Sequence, residues 1–407
     1  MLGIGTLGLP ADFARLGWLP ALLTMALFIG GGVYSGSLYQ RLAVRVPEAV
    51  VFDEIGAAAM GNFGRALVFG TVYLGILTEP CIFHYMTVES LRQMLYGYPL
   101  STLAANAIVV ILILPLAQMH HLEDVAVVGI FGTLAMLVAI AVVVGKLLVI
   151  YLAADPATAA AGGSALGAAA AGAGERPHTE LIAGGSFYVA MVGVVDIAFS
   201  FGGQINWMRY ITSINDRSKF SRAVLTTEAV MGSLYLLTGI VGYAALGAGM
   251  DVHRPISSVL PNDRWTVVMN AAIFVHCLIA YQVMINVWSA SALHIAAPRR
   301  GAQLSEGGGG CGRRGVWFAV TCCAIAFSVF VVWLFPFFSE LMAVVASFGD
   351  IASMFGLPCV FAIRLLKLRR GEALLCGALA VVAVLLSGAG LVSTAQQLAE
   401  ALAGGRG

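Results

Sequence analysis

"GIGTLGLP", Gly3 to Pro10, sets three glycines and a proline inside an apolar stretch, and "FSFGGQ", Phe199 to Gln204, repeats the oddity in the second half of the chain. Both surroundings otherwise read as helix crossing a bilayer. In hydrocarbon every backbone N–H and C=O needs a partner, so a broken helix survives at membrane depth only where protein or a water-filled cavity shelters it. Two such breaks predict a site. The rest of the sequence says what surrounds it.

The chain has 407 residues, 60% of them hydrophobic and 11% charged, with a mean hydropathy of +0.91. A soluble domain carries about a quarter charged residues, so this is an integral membrane protein whose constant partner is the lipid bilayer. Its 22 basic and 21 acidic residues nearly balance. No run of Lys and Arg is long enough to track a phosphate backbone, which excludes a nucleic-acid partner. Of the seven cysteines, Cys81, Cys277, Cys322, Cys323 and Cys376 sit in apolar runs as small hydrophobes. The adjacent pair Cys322 and Cys323 lacks the spacing of a metal or redox motif, so neither a disulfide framework nor a metal or cofactor is expected. The N-terminus lacks a basic region followed by a short apolar core and a cleavage site, so the first spans are expected to direct insertion.

A helix needs about 20 apolar residues to cross the hydrocarbon core. On that ruler the sequence holds about eleven spans: residues 1–16 (short), 19–43, 66–95, 100–117, 125–152, 186–210, 223–246, 265–295, 316–335, 338–363 and 373–394. Alternate loops carry most of the cations: Arg41, Arg45 and Arg65; Arg209, Arg217, Lys219 and Arg222; Arg299, Arg300, Arg313 and Arg314; Arg364, Lys367, Arg369 and Arg370. Cytoplasmic loops hold the excess of Lys and Arg. The N-terminus is therefore expected in the cytoplasm and the C-terminus outside or in a lumen. The Ala- and Gly-rich stretch 153–185 reads as an outer loop with little to bury, and "EGGGGCGRRG", 306–315, as a flexible connector. Residues 45–64 are partly amphipathic and are expected to lie along the inner interface.

One break falls in span one and the other in span six. That spacing is what an inverted repeat of five plus five helices produces, with the eleventh helix an addition. The repeats are expected at about 1–152 and 186–368, with the extra helix at about 372–396. At a break, the N-terminal end of a half-helix favours an anionic group and the C-terminal end a cation. Two crossed breaks can thus hold the carboxylate and ammonium of a small zwitterion with backbone alone. Thr6, Leu7 and Gly8 are expected to offer amides, and Gly3, Ile4, Phe199, Ser200 and Phe201 carbonyls. Gly5, Gly202 and Gly203 let the ligand approach closely. The Thr6 and Ser200 hydroxyls add oxygen ligands for substrate or a sodium ion.

Ionisable groups inside a span are functional candidates by default. Glu79, Asp196 and Asp350 fall near the midplanes of spans three, six and ten, and each is a candidate carrier of a coupling proton. Asp196 is the expected one, three residues before the break. Each has a plainer alternative, a carboxyl stapling two helices. In span eight Gln282, Asn286 and Ser289 form one polar stripe, which either lines a pathway or bonds a neighbouring helix. Phe199, Phe201 and Tyr281 are expected to wall a side-chain pocket. His84, His276 and His294 read as interhelical hydrogen-bond partners, and Glu228 and Glu340 as carboxylates near water.

These residues also carry a resemblance. "GIGTLGLPADFARLGW" (3–18) resembles the first-span signature of the amino acid/auxin permease family, and "AFSFGGQ" (198–204) its sixth-span break, which in many members ends in Gly-His where this chain has Gln204. Asp216–Gly247 is similar to the family's following loop and seventh span. "CIFHYMTVESLRQML" (81–95), Ala280-Tyr281-Gln282 and "FGLPCVFAIRLLKL" (355–368) match its third, eighth and tenth spans. The resemblance runs over essentially the whole chain. It implies an all-α polytopic membrane protein of the amino acid/polyamine/organocation superfamily, with a LeuT-like 5+5 inverted repeat and broken helices one and six.

It also implies secondary active transport of amino acids, with Tyr281 and Gln282 of span eight beside the substrate. The coupling ion is a proton, or sodium in some branches, and the membrane is the plasma membrane or a vacuolar or endosomal one. A transporter-like sensor of amino acids is the rival of another class. An intramembrane aspartyl protease is not, because Val195-Asp196 and Ser347-Phe348-Gly349-Asp350 lack the Tyr-Asp and Gly-x-Gly-Asp signatures. Met1 stands directly before the glycine run, so the expectation is either a lost amino-terminal segment or an impaired inner gate.

Overall fold

The computed structural model describes residues 3–98, 100–119, 122–154, 176–214, 216–296, 311–334 and 337–404. Among these residues nine helices are long and apolar enough to cross a membrane. The shorter apolar helix Thr102–Leu116 and the opening segment, a 3-10 turn Ile4–Leu7 leading to helix Leu9–Leu16, complete eleven crossings. Spans one to four each pack against the span five places later: one on six, two on seven, three on eight, four on nine. Counterparts meeting in pairs is what a pseudo-two-fold axis between inverted repeats produces. Span eleven, Arg370–Gly404, lies outside this arrangement against spans six and ten.

Glycine sets how closely the broken and tilted helices approach. A Cβ on Gly242 of span seven would lie 2.5 Å from Pro10 Cγ, and one on Gly36 of span two 2.8 Å from Val224. Without a hydrophobic drive between helices in lipid, such small-residue contacts are what holds the spans together.

Span three does not begin where a straight helix would. Helix Phe52–Val68 leaves helical geometry at Met60 and at Gly61, whose φ of 62° suits glycine. The arm before this corner folds back so tightly that a Cβ on Gly56 would sit 2.7 Å from Gly64 O. The amphipathic stretch is thus a separate arm, and span three runs from the corner through a π turn, Phe69–Tyr73, into Leu74–Met94. Span ten is distorted likewise: Phe338–Val345, π turns Ala346–Asp350 and Ala352–Gly356, then Leu357–Leu365. π turns are rare and concentrate at functional sites.

Two loop expectations need correction. Residues 176–185 are not idle. They cover one end of the bundle, where Trp18 and Leu19 N–H donate to Glu180 O and Leu181 O (3.0 and 2.9 Å), Ala183 N–H to Leu16 O (3.0 Å) and Ala248 N–H to His178 O (2.9 Å). The reason is local: beyond the Ala/Gly run the sequence offers extended backbone that satisfies the otherwise unpaired amides opening span two. Residues 155–175 lie outside the described residues. The second correction is that the ninth helix starts at Cys311, so 311–315 belong to it rather than to a connector; 306–310 lie outside the described residues. At the opposite end of the bundle, arginines bond carbonyls at or just past the ends of neighbouring helices: Arg217 to Ala43 O (3.3 Å) and Pro47 O (3.1 Å), Arg45 to Leu365 O (3.2 Å).

Candidate functional site

Both expected breaks are present and they touch. In span one Gly3 is extended, its N–H donating to Tyr235 Oη at 2.9 Å, and Thr6 Oγ1 donates to Gly3 O at 2.9 Å. In span six helix Phe187–Ser200 stops, Gly203 takes a φ of 114°, and a 3-10 turn Gln204–Asn206 leads into Trp207–Ser213. A Cβ on Gly5 would fall 2.7 Å from Ser200 Cα, so only glycine lets the two backbones come this close. Tyr235 of span seven joins them, bonding Gly3 while its ring meets Phe201 edge-on at 5.3 Å. Sequence reading passed over Tyr235, although it lies inside the seventh-span stretch that carries the family resemblance.

The peptide groups at the breaks are not bare, as the sequence had suggested. Thr6 N–H donates to Gly3 O (3.3 Å), Gly8 N–H to Gly5 O (2.9 Å) and Gly202 N–H to Phe199 O (2.9 Å), while Gln204 Nε2 donates to Phe201 O (2.8 Å). With the breaks pressed together, tight 3-10 turns and one amide side chain satisfy them. These are exchangeable partners, since 3-10 geometry makes poorer hydrogen bonds than an α-helix.

Asp196 is buried beside the break but is not unpartnered. Arg15 Nη1, from the outgoing half of span one, lies 3.1 Å from Asp196 Oδ2, 3.2 Å from Asp12 Oδ1 and 2.6 Å from Ser339 Oγ of span ten. Ser339 also donates to Asp196. Next along span ten, Glu340 Oε1 lies 2.6 Å from Nδ1 of His253, on the loop between spans seven and eight. That hydrogen bond raises the His253 pKa above its ordinary 6.5, against the opposing effect of burial. Arg15 and Asp12 were not singled out in the sequence; their i, i+3 spacing inside "PADFARLGW" was the available signal.

Asp350 and Glu79 form a second cluster. Asp350 closes the first π turn of span ten, its carboxylate against the break: a Cβ on Gly202 would lie 2.5 Å from Oδ1. Gly75 of span three and Gly349 of span ten press together, a Cβ on Gly75 falling 3.4 Å from Gly349 Cα, and Glu79 lies one helical turn beyond Gly75 on that same side of span three. Glu79 Oε2 is buried without a hydrogen-bond partner.

Other expected residues are placed differently. Tyr281 turns its hydroxyl to Ser328 of span nine (2.5 Å) and its ring to His84 of span three (5.7 Å). Gln282 is buried with Nε2 unpartnered. Within its stripe, Asn286 donates to Met119 O at 2.7 Å, a helix-to-loop bond, and Ser289 Oγ has no partner. His84 bonds Asn106 and His276 bonds Gly132 O, both at 2.9 Å; the His294 side chain lies outside the described residues. Glu228 and Glu340 are both buried rather than near water, the Glu228 carboxylate against Gly32.

The chain matches the family described as "Transmembrane amino acid transporter protein" over residues 1–398. It is 21% identical to Amino acid transporter AVT1J of Arabidopsis thaliana over 376 residues, 88% of this chain and 78% of the relative. It is 25% identical to Amino acid transporter AVT3B of the same plant over 268 residues, 61% of this chain and 58% of the relative. A solved Na+-coupled sialic acid symporter, in a substrate-bound outward-open state, is similar at a TM-score of 0.43 and 15% identity, over 96% of this chain and 90% of that one. The relatives are transporters rather than enzymes. With crossings broken at the glycines that carried the resemblance, and a family match running from the first residue almost to the last, the chain belongs to the transmembrane amino acid transporter protein family.

Proposed function

We propose that the chain carries an amino acid across the membrane by alternating access, with a proton as the co-transported ion. The observation that carries this reading is the meeting of two interrupted crossings at Gly5 and Ser200. The substrate carboxylate binds the amides of Thr6, Leu7 and Gly8, replacing their 3-10 bonds. Its ammonium binds carbonyls of Gly3, Ile4 and Phe199 to Phe201, displacing Gln204 from Phe201 O. Phe199 and Phe201 wall the side chain, and Gln282 supplies an unpartnered amide.

Gly5 leaves no space against Ser200, so binding requires the half-helices to part. Spans one, two, six and seven then rock against the rest, with 1–152 and 186–368 as the two repeats. The end covered by 176–185 faces outside or a lumen, and the arginine-rich end the cytoplasm.

The test is uptake of labelled neutral, cationic and acidic amino acids by the purified protein in liposomes, with an imposed pH gradient and with or without sodium. Accumulation driven by the pH gradient is expected. Binding of amino acid with no transmembrane movement would sink the reading in favour of a sensor.

A further inference from the structure

Three distorted backbones converge at one place: the π turn Phe69–Tyr73 of span three, the π turns Ala346–Asp350 and Ala352–Gly356 of span ten, and the turn Gln204–Asn206 that follows the break of span six. Two buried carboxyls lie there, Glu79 and Asp350. Neither forms an ion pair among the described residues, and Glu79 Oε2 lacks a hydrogen-bond partner altogether. Burying a charge is very costly unless it is paired, and two neighbouring carboxylates are the wrong partners for each other. The other titratable group facing the pair is Tyr210, which feels Glu79, with Arg209 beside it on the same short helix; Tyr73 stands nearby on the π turn. Tyr73 is committed elsewhere, donating to Asp53 at 2.7 Å.

We propose that Glu79 and Asp350 together form one site for a single exchangeable proton and that this site is where the coupling ion binds. The inference rests on the transporter reading and names the ion's place within it. One proton enters from one side, neutralises one carboxylate, and leaves as the same proton to the other side, so charge balances at every step.

The geometry also supplies the link to substrate. Asp350 is held against Gly202, at the break of span six, while Glu79 sits on the neighbouring span three. When the half-helices part around a substrate, the Gly202 peptide moves relative to Asp350, and the field that the pair experiences changes. Protonation and opening of the break are thereby tied through one residue contact. The pair titrates as a unit, so neither residue alone owns the proton.

Two measurements test this. Infrared difference spectroscopy between acid and alkaline buffer should show a protonated-carboxyl band that disappears in both Glu79→Gln and Asp350→Asn. In liposomes, both variants should lose at least about tenfold of accumulation driven by a pH gradient while retaining exchange of labelled for unlabelled amino acid, the control for folded protein. Gly202→Ala, which crowds Asp350 without changing charge, should weaken accumulation less. If the wild type co-transports protons and both variants do so equally well, or if the infrared band survives both substitutions, the shared-proton site is wrong while the transporter reading stands. If the wild type moves no amino acid, the transporter reading fails first and the coupling role fails with it, although the band still reports whether the proton is there. Sodium-driven uptake with no proton movement overturns the coupling role directly.

Discussion

Two carboxyl clusters flank the broken helices, and they are built in opposite ways. Asp12 and Asp196 share the guanidinium of Arg15, whereas Glu79 and Asp350 have no ion pair among the described residues, and Asp350 accepts a hydrogen bond from the Gly203 backbone. On span ten, Ser339 of the first cluster and Asp350 of the second lie eleven residues apart, about 16 Å along the helix axis. A carboxylate clasped by a fixed cation holds helices in register. One that lacks a cation is free to gain and lose a proton. On the proposed mechanism the first cluster serves structure and the second serves coupling.

The sharpest way to break this contrast is Arg15→Met. It strands two buried carboxylates at once, and removing one partner of a buried ion pair costs about 3–5 kcal/mol. Thermal unfolding in detergent should show a large fall in midpoint, partly restored when Asp196→Leu is added. A fall too small to measure would mean that the first cluster is no more committed than the second.

Amide substitutions compare the clusters directly. Asp196→Asn loses hydrogen bonds between charged groups, a cost of about 1.5–3 kcal/mol. Glu79→Gln removes a buried carboxyl that has no ion pair, so its unfolding midpoint should stay level or rise rather than fall. Transport should show the reverse order: Asp196→Asn retains coupling to the pH gradient and Glu79→Gln loses it. Equal effects in both assays would erase the distinction.

The breaks themselves offer a third comparison. Gly5→Ala drives a methyl group into the Ser200 backbone, which cannot step aside as a side-chain tip can, so overpacking should cost about 1–3 kcal/mol and abolish uptake. Gly70, in the π turn of span three, has open space where its Cβ would be. Gly70→Ala should therefore stay within about 0.5 kcal/mol of the wild type. Similar losses at both positions would show that glycine is needed for backbone freedom rather than for close approach.

The order of effects follows what the sequence made legible. Apolar runs located all eleven crossings because lipid demands length and hydropathy, and the glycines of "GIGTLGLP" and "FGGQ" located both breaks because they conflict with those runs. Pairing was not legible. Arg15 reaches Asp196 from 181 residues away, and Gly75 meets Gly349 across an even longer separation. Depth along a helix placed Asp196 and Asp350 near the midplane, but depth says nothing about which neighbour carries a guanidinium. The idle reading of 176–185 failed for a related reason: composition describes the Ala/Gly run before it, while its own bonds are made by extended backbone to partners far away in sequence.

The smallest expected effect lies at the edge of the first cluster. His253 gains its bond to Glu340 in the folded protein, and with its pKa raised above 6.5 it is protonated more readily there than in the unfolded chain. Its contribution is therefore fully present below about pH 6.5 and is lost as pH rises through the higher folded value. Glu340 and Asp251 favour the charged ring, while burial and Arg15 oppose it. The side chain is 42% exposed, so solvent screening holds the pair to less than about 1 kcal/mol. The midpoint difference between wild type and His253→Gln should be largest near about pH 5.5 and close to nothing near about pH 8.5. A difference that grew with pH would show that the loop is held by the neutral ring, and the charged network around Arg15 would then end at Ser339.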